Sequence, residues 1–187
     1  MLNNFKNKRI FITGSTGFKG TWLSYILTLS GATVMGYSLP QIENEKSHYN
    51  DLKLKDKMTK IEGDIRNREE LISTIQKFEP DYVFHLAAQA LVRPSYNDPH
   101  NTFETNVMGS VNILDGVLAT KSVRALIYVT SDKCYENNEW VWGYRENDRL
   151  GGRDPYSASK AAAENVFLAY SKSFINMNSQ LGAASVR

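Results

Sequence analysis

Three observations predict a doubly wound α/β fold of the Rossmann type, with a mostly parallel sheet and helices on both faces. Short runs rich in Val, Ile, Phe and Tyr alternate with segments of helical period. A glycine-rich turn follows the first of those runs. The apolar runs are near-continuous, as strands buried on both faces require. Crossovers between such strands are expected to be right-handed.

The elements follow in order. Residues 9–13 read as the first strand and 20–30 as a helix. Residues 33–37 and 58–62 read as strands, 68–77 as a helix and 82–86 as a strand. A long helix is expected near 101–120, a strand over 125–130, a second long helix over 156–174 and a last strand over 183–186. The stretches 40–57 and 136–154 are polar and loop-like, and long loops in compact domains often carry function. No internal repeat or low-complexity tract is visible.

The 187 residues suffice for one domain with a sizeable core and are too few for two, so 1–187 is read as a single unit. The 22 Lys and Arg nearly balance the 20 Asp and Glu, which argues against nucleic-acid or membrane-surface binding by bulk charge. A lone cysteine, Cys134, excludes an internal disulfide and fits a reducing compartment. The N-terminus lacks a secretory apolar region, and no stretch is long enough to cross a bilayer, so a cytoplasmic protein is expected. His48, His85 and His100 are scattered and share no ligand spacing, so no metal is expected.

The turn reads Gly14-Ser-Thr16-Gly17-Phe18-Lys19-Gly20. Small residues there let backbone approach a pyrophosphate, and the following helix offers free N–H groups and a positive dipole end. Its spacing, Gly-x-x-Gly-x-x-Gly, departs from the Gly-x-Gly-x-x-Gly dehydrogenase fingerprint, but its place after a first strand favours nucleotide binding. The second strand ends Met35-Gly-Tyr-Ser-Leu-Pro40, with neither the acid that would hold NAD ribose hydroxyls nor the arginine that would favour NADP. Tyr37 or Ser38 must take that place, and the cofactor choice stays open here. Asp64, in Gly63-Asp-Ile-Arg66, could accept a hydrogen bond from an adenine amino group or could cap its own loop. Small residues in Leu86-Ala-Ala88 leave room for a cofactor or for close helix packing. Thr105 and Asn106 alone would be polar positions on a helix.

Tyr156-Ser-Ala-Ser-Lys160 places a phenol and an ammonium on one helical face. A free phenol titrates near ~10, and a nearby cation favours its anion. Tyr156 can then take a proton from a sugar hydroxyl during hydride transfer, and Lys160 can also hold a nicotinamide ribose. The spacing alone is common by chance; the glycine turn and strand order give it meaning.

Together these motifs resemble the extended short-chain dehydrogenases/reductases. Gly17-Phe-Lys-Gly-Thr-Trp-Leu23, His85-Leu-Ala-Ala-Gln-Ala-Leu-Val-Arg93, Thr130-Ser-Asp-Lys-Cys-Tyr-Glu136, Trp142-Gly-Tyr-Arg-Glu-Asn-Asp148 and Gly151-Gly-Arg-Asp-Pro-Tyr156 resemble the CDP-glucose 4,6-dehydratases in particular. That resemblance implies tightly held NAD, CDP-D-glucose as substrate, oxidation at C4, loss of water across C5 and C6, and hydride return to C6. It implies that Ser131 bonds the C4 oxygen, that Tyr156 is the base with Lys160 as partner, and that Asp132 is the acid for the departing 6-hydroxyl. Lys133 stands where related nucleotide-sugar dehydratases carry a glutamate base. For the cofactor it implies Phe18 and Lys19 near the pyrophosphate and Asp64 and Ile65 near the adenine, with residues 86–90 (Leu86, Ala87 and Ala88 among them) and Thr105 lining the rest.

A lysine base must be neutral, so water exclusion and neighbouring Lys160 are expected around Lys133. Arg93, Arg145 and Arg153 are candidates for a substrate diphosphate or for solvated surface. Cys134 is read as a packing residue. The resemblance further implies a homodimer through the helices near 101–120 and 156–174. Residues 181–187 read as a core strand, so the chain is expected to be the N-terminal portion of such an enzyme, without the C-terminal part that the resemblance implies makes most of the sugar-nucleotide pocket. The competing readings are another nucleotide-sugar epimerase or oxidoreductase, and a non-catalytic NAD-binding module.

Overall fold

A computed structural model describes residues 2–41 and 46–187. The elements run β1 (Arg9–Thr13), α1 (Phe18–Leu29), β2 (Thr33–Ser38), α2 (His48–Asp51), β3 (Thr59–Glu62), α3 (Arg68–Phe78), β4 (Tyr82–His85), α4 (Val92–Asn97), α5 (Pro99–Phe103), α6 (Gly109–Leu118), β5 (Ala125–Val129), α7 (Pro155–Ser173) and β6 (Gly182–Val186). The sheet is parallel throughout, in the order β3-β2-β1-β4-β5-β6. Its order reverses between β1 and β4, the switch point where ligands bind at the strands' carboxyl ends.

Alternation along β1 builds both halves of the core. Ile10 and Ile12 pack with Leu27, Val34, Tyr49 and Leu54 on one face. Phe11 packs with Leu71, Ile75, Ile113, Leu114, Val117, Leu126 and Phe167 on the other. The helix ends follow local chemistry. Asn67 caps α3 by accepting from the Glu70 N–H. Asp154 caps α7 by accepting from the Ser157 N–H at 3.0 Å, with Pro155 opening the helix.

Three segments differ from expectation. The helix near 101–120 is interrupted by a π-turn, Glu104–Met108, between α5 and α6. The polar stretch 40–57 contains α2 and a 3₁₀ turn, Leu54–Asp56, because Ser47 accepts from the Asn50 N–H and starts a helix; residues 42–45 of that stretch lie outside the described residues. Helix α4 was hidden by Pro94, which a first helical turn tolerates because the amide it lacks needs no partner there. No described helix is long and apolar enough to cross a membrane.

Candidate active site

The glycine turn is a steric necessity. Gly14 sits at φ 72°, and a Cβ there would lie 2.7 Å from the Ala87 backbone nitrogen. A Cβ on Gly20 would collide with the Gly14 carbonyl oxygen. The chain after β1 and the chain after β4 therefore touch backbone to backbone. Helix α1 begins behind Gly17 with no side-chain cap, so its N-terminal N–H groups are available to an anion.

Above this turn lies a cavity of about 830 Å³. Its walls include Gly14, Thr16, Gly17, Phe18, Lys19 and Gly20 from the turn, and Ser38 from β2. Asp64 and Ile65 come from the loop after β3, Leu86, Ala87 and Ala88 from the end of β4, and Thr105 from the π-turn. Ser131, Asp132, Tyr156 and Lys160 complete it. Every catalytic and cofactor residue singled out in the sequence thus meets there except Lys133.

The second strand's end is now defined. Tyr37 is buried in the core, and its hydroxyl donates to the Asp64 carbonyl at 3.3 Å; burial, with Glu70 and Asp64 nearby, pushes its phenol up to about 12. Ser38 braces the glycine turn instead, with its Oγ 3.0 Å from Ser15 Oγ and accepting from the Thr16 N–H at 3.3 Å. The Asp64 carboxylate accepts from the Arg66 backbone N–H at 2.9 Å and from Arg66 Nε at 2.9 and 3.1 Å. Asp64 therefore caps its own loop while lining the cavity, and the Arg66 hydrogen bond holds its carboxyl below the usual carboxylate range.

A buried polar scaffold supports the floor. Thr13 Oγ1 accepts from the Leu86 and Ala87 N–H groups, both at 3.2 Å, and lies 2.7 Å from His85 Nδ1. Its one hydrogen must then donate to His85 Nδ1, which makes His85 the neutral Nε2–H tautomer. Burial, reinforced by Lys160, lowers His85 to about 3, in agreement with a neutral ring. In the π-turn, Asn106 accepts from the Gln89 N–H at 2.8 Å and donates to the Gln89 carbonyl at 3.0 Å and to Ser159 Oγ at 2.8 Å. The π-turn thus fastens the end of β4 to α7.

Tyr156 and Lys160 are both buried on the first turns of α7, with Lys160 Nζ 6.0 Å from the Tyr156 ring centre. Burial and then Lys19 lower Lys160 to about 8, against an opposing pull from Glu164. In the same cavity, Ser131 opens a 3₁₀ turn, Asp132–Cys134, by accepting from the Lys133 N–H at 3.2 Å; its hydroxyl donates to Asp132 Oδ1 at 3.1 Å.

That turn corrects one expectation. Successive residues of a 3₁₀ turn point to three different sides. Cys134 goes into the core and Asp132 to the large cavity, which leaves Lys133 exposed. Lys133 is not screened from water. It borders a smaller cavity of about 220 Å³ with Asp132, Tyr135, Asn137, Tyr144, Arg153, Asp154 and Ser157. Asp132 lines both cavities and joins them. Arg153 lines the smaller one, and Arg93 and Arg145 line neither.

Sequence reasoning missed three contributors: Asn106, Glu164 and Arg187. Glu164 had one visible signal, its place four residues after Lys160 on the same helical face. Arg187 had none, because its partners lie 23, 41 and 52 residues away.

The strand order, the backbone-tight glycine turn and the buried Tyr156–Lys160 pair define a Rossmann-type domain of the short-chain dehydrogenase/reductase class. Within that class the chain belongs to the GDP-mannose 4,6 dehydratase family, which matches residues 11–182. It is 49% identical to CDP-glucose 4,6-dehydratase of Salmonella typhimurium, over 99% of this chain and 52% of that protein. It is 29% identical to CDP-paratose 2-epimerase of Salmonella typhi, over 89% of this chain and 54% of that one. Its backbone resembles the UDP-glucose 4-epimerase of Thermus thermophilus, solved as a complex with NAD, with a TM-score of 0.77, 26% identity, and coverage of 96% of this chain and 54% of that one. The chain spans about half the length of these curated relatives.

Proposed function

We propose that this chain, as one NAD-binding domain over residues 1–187, provides the cofactor cradle and the acid–base residues of a CDP-glucose 4,6-dehydratase. The product would be CDP-4-dehydro-6-deoxy-D-glucose. The observation that carries the reading is the large cavity that Tyr156, Lys160, Ser131 and Asp132 line together with the glycine turn. The residues fit a dinucleotide: the wall at Gly14 and Gly20 has no room for a Cβ, and an uncapped helix start faces the same space.

The pyrophosphate would lie on the turn at Gly17, Phe18 and Lys19, the adenine beside Asp64 and Ile65, and the nicotinamide ribose against Lys160. Bound NAD supplies the acceptor and donor for hydride. The rest of the chemistry belongs to the chain. Ser131 hydrogen-bonds the substrate's C4 oxygen. Tyr156 takes the 4-hydroxyl proton, with Lys160 stabilising its anion. The new C4 ketone acidifies the proton on C5, so elimination becomes accessible only after oxidation. Lys133 takes that proton, Asp132 protonates the departing 6-hydroxyl, and return of hydride to C6 with reprotonation of C5 gives the product. Lys133 is exposed here, so a bound substrate must itself exclude water from it for the amine to act as a base. The partner in solution would be a second copy packed through the helices near 101–120 and 156–174, which light scattering at micromolar concentration checks.

The test is incubation of the complete enzyme that carries this chain with NAD and CDP-glucose, followed by mass spectrometry. A product lighter by one water is expected. A second reading, a nucleotide-sugar epimerase, draws on the epimerases among the similar proteins. A product of unchanged mass with an inverted hydroxyl would favour it and remove the dehydratase reading.

A further inference from the structure

Glu164 is nearly inaccessible, at 3% exposure, and lies one helical turn beyond Lys160. Three hydroxyl or guanidinium groups converge on its carboxylate. Thr130 Oγ1 donates from the end of β5, Ser185 Oγ donates from β6 at 3.1 Å, and Arg187 donates at 2.8 Å. Charge-assisted bonds of this kind are the strong ones, and the buried carboxylate needs all of them.

Arg187 continues the chain of contacts outward. It donates to the Tyr135 hydroxyl at 2.5 Å and to the Glu146 carbonyl at 2.9 Å. Its guanidinium also covers the Tyr135 ring at 4.9 Å. Tyr135 in turn stacks on Tyr144, with ring centres 5.1 Å apart and planes at 7°, and Tyr144 meets Trp140 at 5.6 Å. The segment between Tyr135 and Leu150 is closed at its base by an isolated bridge and by the bonds from Glu136 to Arg149 and from Gly151 to Cys134. Its far side is held by Arg187 and the ring stack. Arg187 lines the large cavity, yet three of its five N–H donors are committed to protein acceptors, which suits a brace better than a ligand contact.

We propose that Arg187, held by Glu164, is a positioning residue that anchors residues 135–146 beside the large cavity and so sets the Ser131–Asp132–Lys133 turn against Tyr156. The positioning part rests on the catalytic roles proposed above; the anchoring part does not. Hydrogen–deuterium exchange on the 187-residue chain tests the anchor without any ligand. Arg187→Met removes all three bonds and should speed exchange over residues 136–150 by at least about tenfold, while the amides of β1 to β5 keep their rates. Arg187→Lys, which keeps the charge but not the forked geometry, should fall between. If Arg187→Met cannot be purified folded, Tyr135→Phe removes one bond only and should speed the same segment by a few-fold. Unchanged exchange over 136–150, or equal acceleration everywhere, would overturn the anchor.

Positioning is read from turnover of CDP-glucose. Arg187→Met should lower kcat by about tenfold with KM nearly constant, and Arg187→Lys should recover part of it. A loosened segment with normal kcat would refute positioning. A wild-type chain that binds no NAD would refute the proposed function and leave the exchange result standing.

Discussion

At the glycine turn the cavity wall is backbone pressed on backbone: Gly14 against Ala87, Gly20 against Gly14 itself. Elsewhere the wall is a 3₁₀ turn whose Asp132 and Lys133 are exposed while Cys134 is buried, with the Tyr135–Tyr144 ring stack following it. The first end cannot change without moving strands, because both of its sides are continuous with the central pair β1 and β4. The second can vary residue by residue at little cost to the fold. The contrast matches the two tasks. Under the proposed function, a dinucleotide presents the same pyrophosphate to every enzyme of the class, whereas the proposed acid and base would have to suit one sugar.

Four substitutions bear on that contrast, from the largest expected effect to the smallest. Tyr156→Phe should reduce turnover about a hundredfold to ten-thousandfold, as loss of a general base does, while NAD titration by fluorescence shows nearly unchanged affinity. Retained activity would move the base elsewhere. Gly20→Ala strikes the backbone end and should cost about 3 kcal/mol in urea unfolding together with NAD binding, since the collision is with a carbonyl and not with a flexible side chain. A stable, NAD-binding Gly20→Ala chain would show that this end is as tolerant as the other.

His85 gives a pH signature to the same buried floor. Burial and Lys160 hold it at about 3, against 6.5 ordinarily. Below 6.5 the unfolded chain takes up a proton that the fold refuses. The stability contributed by neutral His85 is therefore complete above 6.5 and lost as pH falls towards 3, at up to about 1.4 kcal/mol per pH unit. His85→Gln, which can still bond Thr13, should flatten that acid limb in denaturant titrations. An unchanged limb would place the acid sensitivity elsewhere. Lys133→Met belongs to the exposed end and should leave stability within about 0.5 kcal/mol. Absorbance should nonetheless show one round of cofactor reduction by CDP-glucose and then arrest. Normal turnover would take Lys133 out of the elimination.

The strands were legible because β1, β2 and β5 are short, apolar and bounded by polar turns, and the structure moves their ends by one residue at most from the expected 9–13, 33–37 and 125–130. The cavity residues named from the glycine turn, the strand ends and the Tyr156–Lys160 helix were legible because this fold delivers every strand's carboxyl end to one edge. Lys133 was misplaced because neighbours in sequence were taken to share one environment, and a 3₁₀ turn separates them. The π-turn at Glu104–Met108 was illegible because the partners that Asn106 finds there, Gln89 and Ser159, lie 17 and 53 residues away.

By itself the sequence determined the alternation of strands and helices, the glycine turn and the spacing of Tyr156 and Lys160. Each of these is set by periodicity or sterics over a few residues. Only the tertiary structure decided that Lys133 faces solvent, that His85 is neutral, and that Glu164 and Arg187 join α7 to the rim of the site. Those outcomes depend on burial and on partners distant along the chain, and packing alone brings such groups together.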